Sequence, residues 1–157
     1  MANLQPTYTL QYGRGYPGMV ANGEKSNRLS RTIEDAAGIA FGKAAFRGVG
    51  DHGVTATPAA NTFMGVTIAD LSVQPLQGVV TGGAAADVYP QYATVGLLNE
   101  GEIWVAAGEA VNDGDPVYVT AAGAFVKASS GNTAIPAVFD DTVTTVGADV
   151  RLRVRRG

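Results

Sequence analysis

The sequence predicts an all-β protein, a small β-barrel or β-sandwich of about eight to ten short strands with an extended N-terminal arm. Three observations carry this expectation. The 157 residues include 21 glycines, about twice the usual ~7%, and they interrupt alternating apolar positions as turns between short strands do. The stretch Leu97 to Lys127 reads as three short antiparallel strands. There is no cysteine, so stability comes from packing and from assembly with other subunits rather than from disulfides or thiolate metal sites.

Taken in chain order, residues 1–31 alternate polar, aromatic and glycine positions (Tyr8, Leu10, Tyr12, Tyr16, Met19) without a helical period, and Gly13, Gly15, Pro17, Gly18 and Gly23 punctuate them. This is the pattern of an arm, which either lies on its own domain or adds as a strand to a neighbouring subunit. Residues 32–157 form the β-rich domain. Within it, Ile33–Ala45 has partial helical spacing, but Gly38 and Gly42 each cost about 1 kcal/mol in a helix interior. Strand is therefore expected from Ile39 onward, after a turn. Phe63–Ile68 reads as a strand, 69–88 as a surface loop, and Thr94–Leu98 as the next strand.

In the Leu97–Lys127 stretch, Ile103, Val105 and Ala107 share one face while Glu102 and Trp104 share the other, as a period of two requires. Val117 and Val119 repeat the inward set, with Tyr118 opposite. Asn112-Asp113-Gly114 supplies the intervening reversal, Pro116 opens a strand, and Ala122-Gly123 turns into Phe125 and Val126. Ile135, Val138 and Phe139 mark another strand, and Val150, Leu152 and Val154 alternate with Arg151, Arg153 and Arg155 in the last.

Charge is unevenly distributed. Residues 1–31 carry +3 (Arg14, Lys25, Arg28 and Arg31 against Glu24), the last seven carry +4, and residues 32–150 hold −10 of the net −3. Basic ends around an acidic body suit head-to-tail contact between copies or docking on an acidic surface, and are equally read as solvated charge. No charged segment followed by an apolar run opens the chain, and no run of about 18 apolar residues occurs. A soluble protein is expected.

Tests for chemistry return little. Gly13-Arg14-Gly15-Tyr16-Pro17-Gly18 fits G-x-G-x-x-G, but the mechanism needs a following helix, and Met19 to Gly23 has a breaker and no amphipathic period. His52 sits between glycines beside Asp51 with no nucleophile context, so a solvated turn histidine is the simpler reading. Asn112, Asp113 and Asp115 lack the closing glutamate of a calcium loop. Gly42-Lys43 lacks the first glycine and the Ser or Thr of a phosphate loop. No catalytic, metal or cofactor residue is expected. The arginines of the last strand are read first as protection of a terminal edge strand, then as a partner surface, and last as a phosphate contact, since no aromatic interleaves them. Trp104 and Tyr118 are either core or contact face.

Several blocks, in order, match a known group: Tyr16-Pro17-Gly18-Met19-Val20-Ala21-Asn22-Gly23, Ser30-Arg31-Thr32, Phe41-Gly42-Lys43-Ala44, Phe63-Met64-Gly65-Val66-Thr67, Gly101-Glu102-Ile103-Trp104-Val105, Gly114-Asp115-Pro116-Val117-Tyr118-Val119 and Gly131-Asn132-Thr133-Ala134-Ile135-Pro136. Across nearly the whole chain the sequence resembles tailed-bacteriophage capsid cement (head decoration) proteins. The resemblance implies a non-enzymatic β-rich protein, made in the host cytoplasm, that binds the outer surface of the capsid and reinforces contacts among major capsid protein subunits. It implies the major capsid protein and further copies of the chain as partners, a trimer ahead of a dimer, with no cofactor, nucleic acid or membrane. The residues expected to meet partners are Tyr8, Tyr12, Arg14, Tyr16, Met19, Arg28, Arg31, Trp104, Tyr118, Arg151, Arg153 and Arg155. A carbohydrate- or host-surface-binding β module on the virion, stacking sugars on Trp104 or Tyr118, is the alternative, and a small hydrolase built on His52 stands behind both.

Overall fold

A computed structural model of the chain describes residues 15–70 and 87–155. Those residues form eleven strands and no helix. In chain order they are β1 (Asn27–Ile33), β2 (Ile39–Ala40), β3 (Ala44–Arg47), β4 (Gly53–Thr55), β5 (Phe63–Thr67), β6 (Val88–Tyr89), β7 (Thr94–Ala106), β8 (Pro116–Val119), β9 (Phe125–Val126), β10 (Thr133–Phe139) and β11 (Asp149–Val154). All-β is the expected class, with barrel rather than sandwich closure.

One long strand organises the whole. The first half of β7 pairs with β1 on one side and β5 on the other. Since β1 also pairs with β4, β4 with β3, and β3 with β5, these five strands close a barrel. The second half of β7 pairs with β11, followed by β10, β8 and β9. The bridge between Ala107 and Phe125, with the Gly108 N–H donating to the Phe125 carbonyl at 2.8 Å, returns β9 to the end of β7 and curls this sheet into a second barrel-like layer.

β7 joins what the sequence reads as two strands, Thr94–Leu98 and Ile103–Ala107. Asn99-Glu100-Gly101 carries turn residues, yet the chain absorbs it as a bulge: Asn27 pairs with Glu100 and Arg28 with Leu98, leaving Asn99 extra, and Gly101 takes φ +126. The Asn112 to Asp115 turn exists as expected, with the Asn112 N–H donating to Asp115 Oδ2 at 2.8 Å. It does not make a hairpin, because β8 pairs with β9 and β10 instead of β7.

Two apolar clusters meet at a shared wall. Ile33, Phe41, Ala45, Val54, Val95 and Leu97 fill the first barrel, while Ile103, Val105, Val119, Phe125, Phe139 and Leu152 fill the second. Ala44, Phe46, Val66 and Leu98 lie on the outside of the first barrel and belong to the second cluster. The wall of β3, β5 and β7 is therefore buried on both faces, which gives consecutive buried residues (Ala44-Ala45-Phe46, Leu97-Leu98) where a one-sided strand would alternate.

Residues 15–22 lie on their own domain, along β7, and the expected boundary between residues 31 and 32 falls inside β1. Residues 1–14 of the expected arm lie outside the described residues, as does most of the 69–88 loop. One expectation is corrected by this topology. The last strand, β11, lies between β7 and β10, so its arginines protect no sheet edge.

The small β2–β6 ribbon covers one side of the first barrel through Ile39 and Tyr89. Tyr89 packs edge-on against Phe41, with centroids 5.0 Å apart, and its hydroxyl donates to the Ile68 carbonyl at 2.5 Å. Burial, helped by the charge of Asp70, pushes its phenol from 10.0 up to about 12. The folded chain thus holds the neutral form more tightly than the unfolded chain does. This contribution is complete below pH 10 and is lost as pH rises toward 12. We expect the melting temperature to fall across that window, and Tyr89→Phe to flatten the fall; an unchanged slope in a pH series of thermal melts contradicts the assignment.

Candidate functional site

The polar outer face of the second barrel is built by one cross-strand register. Arg151 lies opposite Trp104 and Arg153 opposite Glu102, and the period of two that buries Ile103, Val105, Val150 and Leu152 turns these four outward. Glu102 nevertheless ends only 2% exposed. Its Oε1 accepts from Arg153 Nε at 2.9 Å and from Arg153 Nη2, and its Oε2 accepts from Asn22 Nδ2. A charged group that deep needs such partners, because its desolvation otherwise exceeds what the fold tolerates.

Around Glu102 the arginines are saturated. Asp141 holds Arg151 in a fork, Nε to Oδ2 at 3.0 Å and Nη2 to Oδ1 at 2.9 Å. Asp140 lies 3.4 Å from Arg153 and 3.9 Å from Arg151, and Glu24 lies 3.9 Å from Arg153. Both guanidiniums are held more firmly protonated than usual, Arg151 chiefly by its hydrogen bond to Asp141 and Arg153 by that to Glu102. Four carboxylates surround two guanidiniums, so this part of the ladder is no basic patch.

The segment around Tyr16-Pro17-Gly18-Met19-Val20 seals the same face. The Gly18 N–H donates to the Trp104 carbonyl at 2.8 Å, the Trp104 N–H to Met19 at 2.8 Å, and the Ala21 N–H to Glu102 at 2.9 Å, extending the ladder beyond β7. Close backbone approach dictates the glycines here. A Cβ on Gly15 would stand 2.3 Å from Trp104 Cδ1, and Gly42, at φ +63, would bring one within 2.6 Å of the Gly18 nitrogen. With the Arg151 guanidinium 6.0 Å from its centroid, Trp104 is half-buried beneath this cover.

Of the residues expected to meet partners, Trp104, Arg151 and Arg153 come together, with exposed Tyr16 and Met19 on the strip that covers them. Arg28 is exposed on β1, where Arg31 is half-buried and donates to the Ser30 carbonyl at 2.8 Å. Tyr118 is half-buried on β8, beside Ala134 and Val126. Arg155 follows β11, exposed, and forms no ion pair among the described residues. Tyr8, Tyr12 and Arg14 lie outside the described residues. Sequence reasoning missed Glu102, Asn22, Asp140 and Asp141. The available signal was an acid at an outward position of one strand and arginines at the outward positions of another, which pair once the strands are adjacent.

His52 is exposed in the turn before β4. Asp115 caps its turn and lies 3.8 Å from Lys127, and among the described residues no cluster of three His, Asp or Glu side chains is placed to hold a metal. After Gly18 the chain forms a β-bridge from Val20 to Ile103 instead of a helix.

The profile of a protein family described as "Structural cement protein (E217 gp24/Pam3 gp6)" matches residues 4–155. The chain belongs to this phage structural cement protein family. A solved chain from "The capsid of Myoviridae Phage XM1" has the same fold, with a TM-score of 0.66, 18% identity and 98% of each chain covered. No curated protein matches the sequence. This cement protein is a virion component of the capsid, and the face sealed around Glu102 is part of its framework: the deepest charge in the described fold ties the N-terminal strip, β7 and β11 into one rigid piece.

Proposed function

We propose that this cement protein binds the outer surface of the phage head, without catalysis, and reinforces contacts among major capsid protein subunits as a homo-oligomer, a trimer ahead of a dimer. The family match over residues 4–155 carries the reading. The fold supports it physically, since two barrels that share one strand present fixed surfaces and lose little conformational entropy on binding. Binding the mature lattice more tightly than the immature one stabilises the shell by mass action. Residues 1–14, with Tyr8, Tyr12 and Arg14, contribute a further contact in this proposal, beside the exposed Tyr16 and Met19.

The test uses heads that lack the protein. Purified protein is added, occupancy is read by gel densitometry of sedimented heads, and survival of heating is read by DNA release. Saturable binding with delayed release is expected, and deletion of residues 2–14 is expected to lower occupancy. Absence of saturable binding refutes the proposal. The glycan-binding alternative is weakened by Trp104, whose ring is covered by Arg151 and Gly15.

A further inference from the structure

A groove opens at the fork where β7 leaves the first barrel for the second. The β5–β7 ladder contains only Val66 with Leu98 and Thr67 with Leu97, so Phe63 and Gly65 pair with β3 alone and Met64 is the extra residue where that ladder shifts register. Across the gap, the β10–β11 pairing runs from Phe139 to Ala137 and ends on the Arg155 N–H, which donates to the Pro136 carbonyl at 2.8 Å, and Ala134–Pro136 line the far wall. The space between measures about 560 Å³, with Phe63, Met64 and Ile135 as apolar lining and Asn61, Asn99 and Arg155 as polar lining.

Its chemistry is selective. Arg151 and Arg153 are consumed by Glu102, Asp140 and Asp141, whereas Arg155, two residues on, has no acidic partner among the described residues. Asn99, the bulged residue of β7, accepts from Asn27 Nδ2 at 2.6 Å through Oδ1, and its own side-chain N–H groups meet no acceptor among the described residues. The groove therefore combines the β5 edge that β7 leaves, apolar side chains and one cation that forms no ion pair among the described residues. Extended polypeptide satisfies all three at once, since backbone adds to the ladder while alternate side chains enter the apolar part and reach the cation.

We propose that this groove is a docking site for an extended, acidic segment of the major capsid protein, whose carboxylate pairs with Arg155 and whose apolar side chain packs on Phe63, Met64 and Ile135. The proposal rests on the capsid-binding reading above. Charge complementarity selects an acidic occupant, and the apolar walls select one that is more than a lone anion.

Titration of heads lacking the protein with wild type, Arg155→Glu, Arg155→Lys and Arg47→Glu tests it, with circular dichroism melts reporting the fold of each. Arg155→Glu is expected to weaken binding about tenfold and to reduce its salt dependence. Arg155→Lys is expected to keep most of the affinity, and Arg47→Glu, an exposed cation on β3 that does not line the groove, to bind as wild type. Equal binding by Arg155→Glu and wild type at low salt overturns the groove while leaving the capsid reading intact; no binding by wild type overturns both. A photo-crosslinking side chain at Met64 gives the second readout. Adducts with the major capsid protein are expected, and adducts with a second copy of this chain instead overturn the assignment.

Discussion

Leu97→Ala and Leu98→Ala each lower the unfolding free energy by about 3 kcal/mol, the usual cost of removing a buried leucine side chain and leaving a cavity. The two side chains are fully buried neighbours on β7 that point into different clusters, Leu97 into the first barrel and Leu98 into the second. Because β7 is a wall of both, either cavity weakens the entire molecule. We expect a single cooperative transition in both variants, monitored by far-ultraviolet circular dichroism and by fluorescence of Trp104, the one tryptophan. Coincident midpoints support one folding unit; a Trp104 transition that stays at its wild-type position in Leu97→Ala shows barrels that unfold independently.

Arg153→Ala is the second large effect. It strips Glu102 of its fork partner and leaves a carboxylate with 2% exposure to Asn22 and to Arg151, whose Nη1 is 3.9 Å away. Removing one member of a pair whose carboxylate is buried destabilises the fold, because that carboxylate is left short of partners, and a clear fall in the unfolding free energy is expected. Removing both charges in Glu102→Gln, Arg153→Met restores part of the loss, because no buried charge is then unpaired. Urea unfolding of the two single variants and the double variant measures this coupling. Additive single-variant losses contradict the dependence of Glu102 on Arg153.

The strands were legible wherever one face meets solvent. Val150, Leu152 and Val154 against Arg151, Arg153 and Arg155 declare β11, and Ile103 and Val105 against Glu102 and Trp104 declare the second half of β7. Where both faces are buried the alternation disappears, and Leu97-Leu98 or Ala44-Ala45-Phe46 cannot reveal which neighbour covers which side. The length of β7 was hidden for a different reason. Asn-Glu-Gly has the composition of a turn, and only pairing with Asn27 and Arg28 forces it into a bulge. The site followed the same rule. Alternation shows that the arginines point outward, but whether they meet solvent, a partner or Glu102 depends on strand order, which local sequence does not encode.

The thirteen residues of β7 span roughly 40 Å at the usual rise per residue. Their partners on the two halves run antiparallel to them, β1 and β5 at one end and β11 at the other. A tension that pulls the two barrels apart along this strand loads many ladder hydrogen bonds together in shear, whereas a force across the sheet would peel them one by one. A shell under pressure from packed DNA strains its surface tangentially. In the proposed role on the head, a β7 laid in that surface would act as a tie rod, with a mechanical strength set by the number of bonds that must fail at once.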